Sequence, residues 1–119
     1  MHWSKRDIEQ LSIHFEGDLY LTDSADARRT KRLYATDASV YEVQPQAVAL
    51  PANSKDIKRL IQFAASHKSS IIPRGAGTSL AGQVVGEGIV MEMSHRMSKI
   101  IQLNKKEHSV WVEPGIIRD

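Results

Sequence analysis

The sequence contains no cysteine and no long hydrophobic segment. Without cysteine, this chain has no disulfide bonds, thiolate zinc sites, cysteine nucleophiles or iron–sulfur ligands. No apolar run approaches the roughly 20 residues that a membrane-spanning helix needs, and the first residues do not lead into the apolar core of a secretory signal. We therefore expect a cytoplasmic location, with any membrane association made through partners.

An excess of charge of one sign is also missing, because 16 Lys and Arg against 14 Asp and Glu leave a net charge of only +2. No basic run alternates with aromatic residues, so we expect no nucleic acid partner. The five histidines lack the spacing of a metal site, so we expect no bound metal. A hydrophobic content of 41% and a charged content of 25% are typical of a soluble globular domain.

The N-terminal part predicts one helix and then an ambiguous polar segment. Ser4 and Asp7 have the spacing of a capping box, and apolar residues follow at helical intervals. This pattern predicts a helix from about Lys5 to Glu16, with Gly17 as the residue just beyond its C-terminus. Residues 18–31 are polar and fit either a helical turn or a solvated loop.

The middle of the chain predicts a β-α-β unit. Ala47–Leu50 and Ile71-Ile72 are short apolar runs that predict strands. Between them, Ser54 is a suitable N-cap for an amphipathic helix that reaches about His67. Short links between the three elements favour two parallel strands joined by the helix. The apolar face of the helix consists of Ile57, Leu60, Ile61, Ala64 and Ala65.

Three further strands follow with no helix between them. They are Gly88–Met93, Ser98–Leu103 and Ser109–Glu113, with Asn104–Glu107 as a polar hairpin connection. Strands joined without helices favour antiparallel pairing. Trp111 alternates with two valines, and we expect it to pack against a neighbouring element. The predicted fold class is α+β: an N-terminal helix, a parallel βαβ unit, then antiparallel strands.

A glycine-rich loop, residues 73–82, follows the second strand of the βαβ unit. Gly75 and Gly77 allow positive φ and a close approach of ligand to backbone, and Arg74 carries a guanidinium suited to phosphate. Two interpretations remain equally open: a cradle for a pyrophosphate, or a connector that only turns the chain.

This loop matches neither of two common phosphate-binding patterns. A P-loop requires Lys and then Ser or Thr after its last glycine, but Gln83 follows Gly82. The dinucleotide fingerprint requires a third glycine at the position of Leu80. Neither a P-loop NTPase nor a standard Rossmann site is therefore supported.

The order of elements resembles one known family. The segments that carry the likeness are Thr36–Tyr41, Val48–Pro51, the helix from Ser54, Ile72–Gly82, Gly88–Met93 and Val110–Gly115. Together they resemble the FAD-binding domain of the vanillyl-alcohol oxidase and p-cresol methylhydroxylase type. Within that type, they are most similar to the glycolate oxidase and D-lactate dehydrogenase branch. The resemblance covers roughly residues 33–119.

The resemblance implies that FAD lies between two subdomains, the first being the βαβ unit. It assigns these residues to the cofactor: Pro73, Arg74, Gly75, Ala76, Gly77, Thr78, Ser79, Leu80, Gly82, Pro114 and Gly115. Family members that bond FAD covalently from this loop have histidine at the position of Thr78, so we expect non-covalent FAD. The family's substrate ligands lie mainly beyond position 119, so no catalytic residue is assigned to this chain.

The resemblance further implies an enzyme, an FAD-dependent oxidoreductase that oxidises a small 2-hydroxy acid such as glycolate or D-lactate. Residues 1–32 would be an N-terminal helical extension, and residues 33–119 the start of the FAD-binding domain. As a fragment that lacks its C-terminal part, the chain is expected to be inactive and to bind FAD weakly or not at all. We expect it to form a homodimer through strands such as Ile89–Met93 and Val110–Val112. The alternative is a non-catalytic module that binds phosphate or a nucleotide with the same loop.

Overall fold

The computed structural model describes residues 3–22, 24–36, 45–77 and 88–117. The elements in these residues are α1 Lys5–His14, β1 Asp18–Tyr20, α2 Ala25–Leu33, β2 Ala47–Leu50, α3 Ser54–Ser66, β3 Ile71–Arg74, β4 Ile89–Glu92, β5 Ile100–Asn104 and β6 Ser109–Val112. Four strands form a sheet in the order β1-β2-β4-β3, and β5 pairs with β6 in a separate sheet. The predicted α+β class, with both parallel and antiparallel strands, is confirmed.

Strand β4 occupies the centre of the larger sheet. It lies between β2 and β3 and runs parallel to both, so the predicted parallel relation of those two strands is confirmed. The prediction that Gly88–Met93 pairs antiparallel with the strands after it is wrong. All four residues of β4 are buried, and a strand that is covered on both faces suits an interior position in a parallel sheet.

One face of the sheet packs against α1 and α3. Its buried side chains come from Ala47, Ala49, Ile89 and Met91, and the helices contribute Leu11, Leu60, Phe63 and Ala64. The predicted apolar face of α3 is therefore rotated toward Phe63, which leaves Ile61 51% exposed. The larger aromatic ring takes the buried position because it removes more apolar surface from water.

The other face carries a smaller apolar cluster. Val48, Leu50 and Val90 form its buried centre, and the partly buried side chains of Tyr20, Tyr34 and Ile72 pack against them. Tyr34 is the residue that caps the C-terminus of α2. Because side chains alternate along a strand, Arg74 and Glu92 project to this same face, two residues beyond Ile72 and Val90.

The helix ends differ in part from the predictions. The capping box of α1 is confirmed, since the Ser4 hydroxyl accepts the Asp7 N–H at 3.1 Å and the Asp7 carboxylate accepts the Ser4 N–H at 3.3 Å. Helix α1 ends at His14, before the predicted Glu16, and Gly17 does not have positive φ. The N-cap of α3 is Asn53, and Ser54 is already the first helical residue.

Asp56 joins the end of α1 to the start of α3. Its buried carboxylate accepts the main-chain N–H groups of Glu16 at 2.9 Å, Gly17 at 2.8 Å and Ala52 at 3.0 Å. A Cβ on Gly17 would lie 2.0 Å from the carbonyl oxygen of Leu50, so only glycine allows this approach. The sequence pattern did not reveal this connection, because Glu16 and Gly17 lie 40 and 39 positions away from Asp56.

The polar segment 18–31 contains a strand and most of a helix. β1 pairs antiparallel with β2, and α2 begins after the N-cap Ser24, so the helical interpretation of its second half is correct. α1 and β1 share the sheet and core of the segment that follows them. The division between residues 1–32 and 33–119 stays a prediction.

β5 and β6 form an antiparallel hairpin, as predicted. Asn104 belongs to β5, and the turn extends to His108, which has φ of 52°. The expected packing of Trp111 is wrong for the residues described, because its side chain is 69% exposed. The hairpin therefore presents apolar side chains to solvent.

Candidate functional site

The glycine-rich loop begins at the carboxyl edge of the parallel strands. Arg74 ends β3, its register partner on β4 is Glu92, and the N–H of Met93 donates to the Arg74 carbonyl oxygen at 2.9 Å. Open α/β sheets bind their ligands outside this edge. The structure describes the first part of the predicted site, Pro73 to Gly77. The predicted site residues Thr78, Ser79, Leu80 and Gly82 lie outside the described residues.

The two described glycines of the loop serve different purposes. Gly77 has φ of 73°, as predicted, and a Cβ there would lie 2.3 Å from Nη2 of Arg74. Gly75 also allows positive φ but does not adopt it. A Cβ on Gly75 would meet no atom of the described residues within 4 Å.

The side chain of Arg74 is turned into the protein. Only 8% of the residue is exposed, and its Nη1 donates to the carbonyl oxygen of Thr36 at 2.6 Å and to that of Tyr34 at 3.5 Å. The guanidinium carbon lies 5.1 Å from the centre of the Tyr34 ring, within the range of a cation–π interaction. Arg74 thus links the edge of β3 to the segment that follows α2.

Glu92 is the second buried charged residue at this edge. Its Oε2 accepts the Tyr34 hydroxyl at 3.1 Å, and its Oε1 accepts N–H groups of Ser94 and His95 and the hydroxyl of Ser94. Burial, followed by the negative charge of Glu92, raises the pKa of the Tyr34 phenol to about 12. The phenol therefore stays protonated at neutral pH and remains a donor to Glu92.

The sequence analysis missed both Tyr34 and Glu92. One feature of the sequence could have indicated Glu92: it is the single carboxylate at the end of the apolar run Ile89–Glu92. A charged residue in a buried strand needs hydrogen-bond partners, so its presence there indicates a polar contact. Nothing in the sequence identified Tyr34 as that partner, since the two residues are 58 positions apart.

Pro114 and Gly115 form a turn just after β6, and this turn lies beside the residues that follow β4. The N–H of Gly115 donates to the Met97 carbonyl oxygen at 2.8 Å, and a Cβ on Gly115 would lie 2.1 Å from the Met93 carbonyl oxygen. Pro114 is exposed, whereas Gly115 is buried. The structure therefore brings this turn beside the residues that follow β4, close to the start of the loop.

Other parts of the described structure offer less for this chemistry. A groove of about 390 Å³ lies between α1 and α3, and none of the predicted site residues lines it. No group of three or more His, Asp or Glu among the described residues is arranged to hold a metal ion.

Comparison with known proteins identifies the family of this chain. The sequence profile described as "FAD binding domain" matches residues 45–119, which is more than half of the chain and includes the loop, β4 and the hairpin. This chain belongs to the FAD-binding-domain family. The family assigned from the loop and the order of elements is thereby confirmed, and so is FAD as its cofactor.

Curated relatives match nearly the whole chain. D-2-hydroxyglutarate dehydrogenase of Escherichia coli (strain K12) is 35% identical over 119 residues, which cover 94% of this chain and 12% of that protein. The glycolate oxidase subunit GlcD of Bacillus subtilis (strain 168) is 30% identical over 115 residues, covering 94% of this chain and 24% of that protein. The chain thus spans about a tenth to a quarter of the length of these relatives.

Solved structures share the fold. An alkyldihydroxyacetonephosphate synthase has a TM-score of 0.74 at 22% identity, covering 97% of this chain and 23% of that one. The xylooligosaccharide oxidase of Myceliophthora thermophila C1 has a TM-score of 0.69 at 23% identity, covering 92% and 23%. At these identities the likeness concerns the fold of the FAD-binding domain alone.

The residues at the edge fit the pyrophosphate of FAD. No atom of the described residues blocks the space in front of Gly75, and the positive φ of Gly77 is a backbone conformation that anion-binding nests use. The buried guanidinium of Arg74 lies against Gly77 at the start of the loop. Such a site supplies binding and orientation, whereas the redox chemistry belongs to the flavin when it is bound.

Proposed function

We propose that this chain is the amino-terminal, pyrophosphate-binding part of an FAD-dependent oxidoreductase that oxidises a 2-hydroxy acid. The observation that carries the proposal is the left-handed turn at Gly77, placed at the carboxyl edge of the parallel strands β3 and β4. The relatives support the substrate class, because D-2-hydroxyglutarate and glycolate, which their names contain, are both 2-hydroxy acids.

In this proposal the main chain of Gly75, Ala76 and Gly77 binds the pyrophosphate, with Pro73 and Arg74 fixing the start of the loop. Thr78, Ser79, Leu80 and Gly82 complete it, and Pro114-Gly115 contacts FAD from the adjacent turn. Because Thr78 has no imidazole with which to form a flavin bond, the cofactor is non-covalent here.

The substrate and the catalytic groups belong to parts of the enzyme outside these 119 residues. No described residue is assigned a catalytic role, and the chain alone is expected to be inactive. None of the helices in the described ranges is long and apolar enough to cross a membrane. A cytoplasmic location remains part of the proposal.

An NMR titration of the ¹⁵N-labelled chain tests the proposed site. FAD and ADP both carry a pyrophosphate, and both should shift the main-chain amide signals of Gly75, Ala76 and Gly77. Binding should be weak, with a dissociation constant in roughly the millimolar range, because one wall of a cleft buries little of the ligand. Riboflavin, which lacks the pyrophosphate, should not move these signals.

Two results would contradict the proposal. If the amide signals of the loop do not shift even at the highest concentrations of ADP and FAD, the loop is not a pyrophosphate site. Flavin that remains attached to a peptide containing Thr78 after acid precipitation would contradict the non-covalent assignment. Stoichiometric nucleotide binding without any preference for flavin over ADP in the longer protein would favour a non-catalytic nucleotide module.

We further propose that two copies of the chain pair through the β5–β6 hairpin. Its exposed large apolar side chains are Ile100, Ile101, Leu103, Val110 and Trp111, each between 48% and 69% exposed. Exposed apolar patches of this kind recruit partners. The other surface predicted for pairing, Ile89–Met93, is not exposed, because Ile89, Val90 and Met91 are buried.

Static light scattering tests the pairing. A mass near twice the 13.3 kDa of one chain is expected for the wild type, and a monomer for the double variant Ile101→Lys, Trp111→Lys. Ile61→Lys is the matched control, because Ile61 is a half-exposed apolar residue on α3, away from the hairpin. A monomeric wild type at high concentration would contradict the pairing.

A further inference from the structure

Arg74 contacts several groups of the described residues at once. Its guanidinium carbon lies over the Tyr34 ring, 5.1 Å from the ring centre, and Nη1 donates to the carbonyl oxygens of Thr36 at 2.6 Å and Tyr34 at 3.5 Å. The guanidinium also lies against Gly77, where a Cβ would come within 2.3 Å of Nη2 and 2.9 Å of Cζ. The turn formed by Gly75, Ala76 and Gly77 thus rests directly on the guanidinium.

The position of Tyr34 is fixed in turn by Glu92. The Tyr34 hydroxyl donates to Oε2 of Glu92 at 3.1 Å, and the other oxygen of that carboxylate is held by main-chain N–H groups of Ser94 and His95. Glu92 is only 2% exposed. If its carboxylate moved, it would lose these hydrogen bonds where water cannot replace them, which is costly. A chain of contacts therefore runs from the end of β4 through Tyr34 and Arg74 to the loop.

We propose that Arg74 is a positioning residue, which holds the Gly75–Gly77 turn in its ligand-binding conformation from inside the protein and does not contact the pyrophosphate. Tyr34 and Glu92 complete this support. The inference rests on the proposed FAD site, but it assigns the arginine a role different from that of a phosphate ligand. The physical reason is that a planar guanidinium can stack on a ring and donate in its own plane at the same time.

The two roles predict different responses to substitution. A phosphate ligand acts mainly through its charge, so lysine would retain part of its effect, and replacing Tyr34 would matter little. A positioning residue acts through its shape, so lysine would fail, because an ammonium group offers no planar surface for Tyr34 or for Gly77. Removing the Tyr34 ring would then reproduce the loss, although the charge of Arg74 remains.

The first measurement uses the chain without ligand. In Arg74→Lys and in Tyr34→Leu, the main-chain amide signals of Gly75, Ala76 and Gly77 should shift from their wild-type positions because the turn has lost its support. Tyr34→Phe keeps the ring and loses only the hydroxyl, so the same signals should move by a smaller amount. Arg28→Lys, at an exposed position of α2, is the matched control and should leave the loop unchanged.

The second measurement is the salt dependence of ADP binding to the same variants. Both Arg74→Lys and Tyr34→Leu should weaken binding by about tenfold while the slope of affinity against salt concentration stays as in the wild type. Removal of a direct phosphate contact would make the affinity depend less steeply on salt, because fewer charged groups would be screened. A lowered slope in a charge-removing variant, Arg74→Gln, would therefore overturn the proposal.

The outcomes also separate this inference from the proposed function. If the unliganded loop signals remain at wild-type positions in Arg74→Lys and Tyr34→Leu, the positioning role is wrong even if ADP binds. If those signals move but neither ADP nor FAD binds the wild type, the support of the turn stands and the pyrophosphate site fails.

Discussion

Replacing Gly77 with valine is expected to abolish detectable binding of FAD and ADP while leaving the sheet folded. The residue has φ of 73°, where a β-branched side chain is strongly disfavoured, and its Cβ would overlap the Arg74 guanidinium at 2.3 Å. The turn must therefore change its backbone conformation, at a cost of about 1–3 kcal/mol. The main-chain N–H groups of the turn would then no longer be placed to bind the pyrophosphate. The NMR titration with ADP measures the loss directly.

Gly75→Ala is the matched control for this variant. Its Cβ would meet no atom of residues 3–22, 24–36, 45–77 or 88–117 and its φ is not positive, so the free energy of unfolding should change by less than about 0.5 kcal/mol. The added methyl group would nevertheless occupy the space in front of the backbone, and ADP binding should weaken. Wild-type affinity in Gly77→Val would show that the turn is only a connector.

Replacing Asp56 with alanine is expected to be the most destabilising substitution of a single side chain outside the apolar core. Three main-chain N–H groups, those of Glu16, Gly17 and Ala52, would lose their acceptor. Each orphaned donor costs about 1–3 kcal/mol when water cannot replace the acceptor, and we expect a combined loss of about 3–5 kcal/mol. That is a large part of the roughly 5–15 kcal/mol that stabilises a domain.

Urea unfolding followed by circular dichroism measures this effect. Asp56→Asn should fall between the wild type and alanine, because the amide keeps one acceptor oxygen but loses the charge. Asp26→Ala is the control: its carboxylate is exposed, its ion-pair partner among the described residues is the exposed Arg29, and its removal should cost less than about 0.5 kcal/mol. A loss below about 1 kcal/mol in Asp56→Ala would mean that water satisfies the three donors.

Local patterns predicted the elements that depend on a few neighbouring residues. The capping box at Ser4, the buried strand Ala47–Leu50 and helix α3, whose C-cap is His67, follow from spacing and polarity within one or two turns. The left-handed Gly77 was predicted in the same way, because glycine is the residue that adopts this conformation without strain.

Features that depend on distant partners were not predictable. The residues of β4 have the pattern of an ordinary apolar strand. Its central position and parallel direction result from its pairing with both β2 and β3. Arg74 is suited to phosphate as an isolated residue, but its contacts with Tyr34 and Thr36 come from a segment about 40 positions earlier in the chain. The same holds for Asp56, whose partners Glu16 and Gly17 lie 40 and 39 positions away.

The central place of β4 has a consequence for how the chain folds during synthesis. β4 is the last of the four strands to be made, yet it is the neighbour that β2 and β3 share. Until residue 92 has left the ribosome, each of those strands has one side without its native partner, and such edges are prone to pair with other chains. A nascent chain of this domain should therefore stay open to chaperones until β4 is complete, and its sheet should then close in one late step.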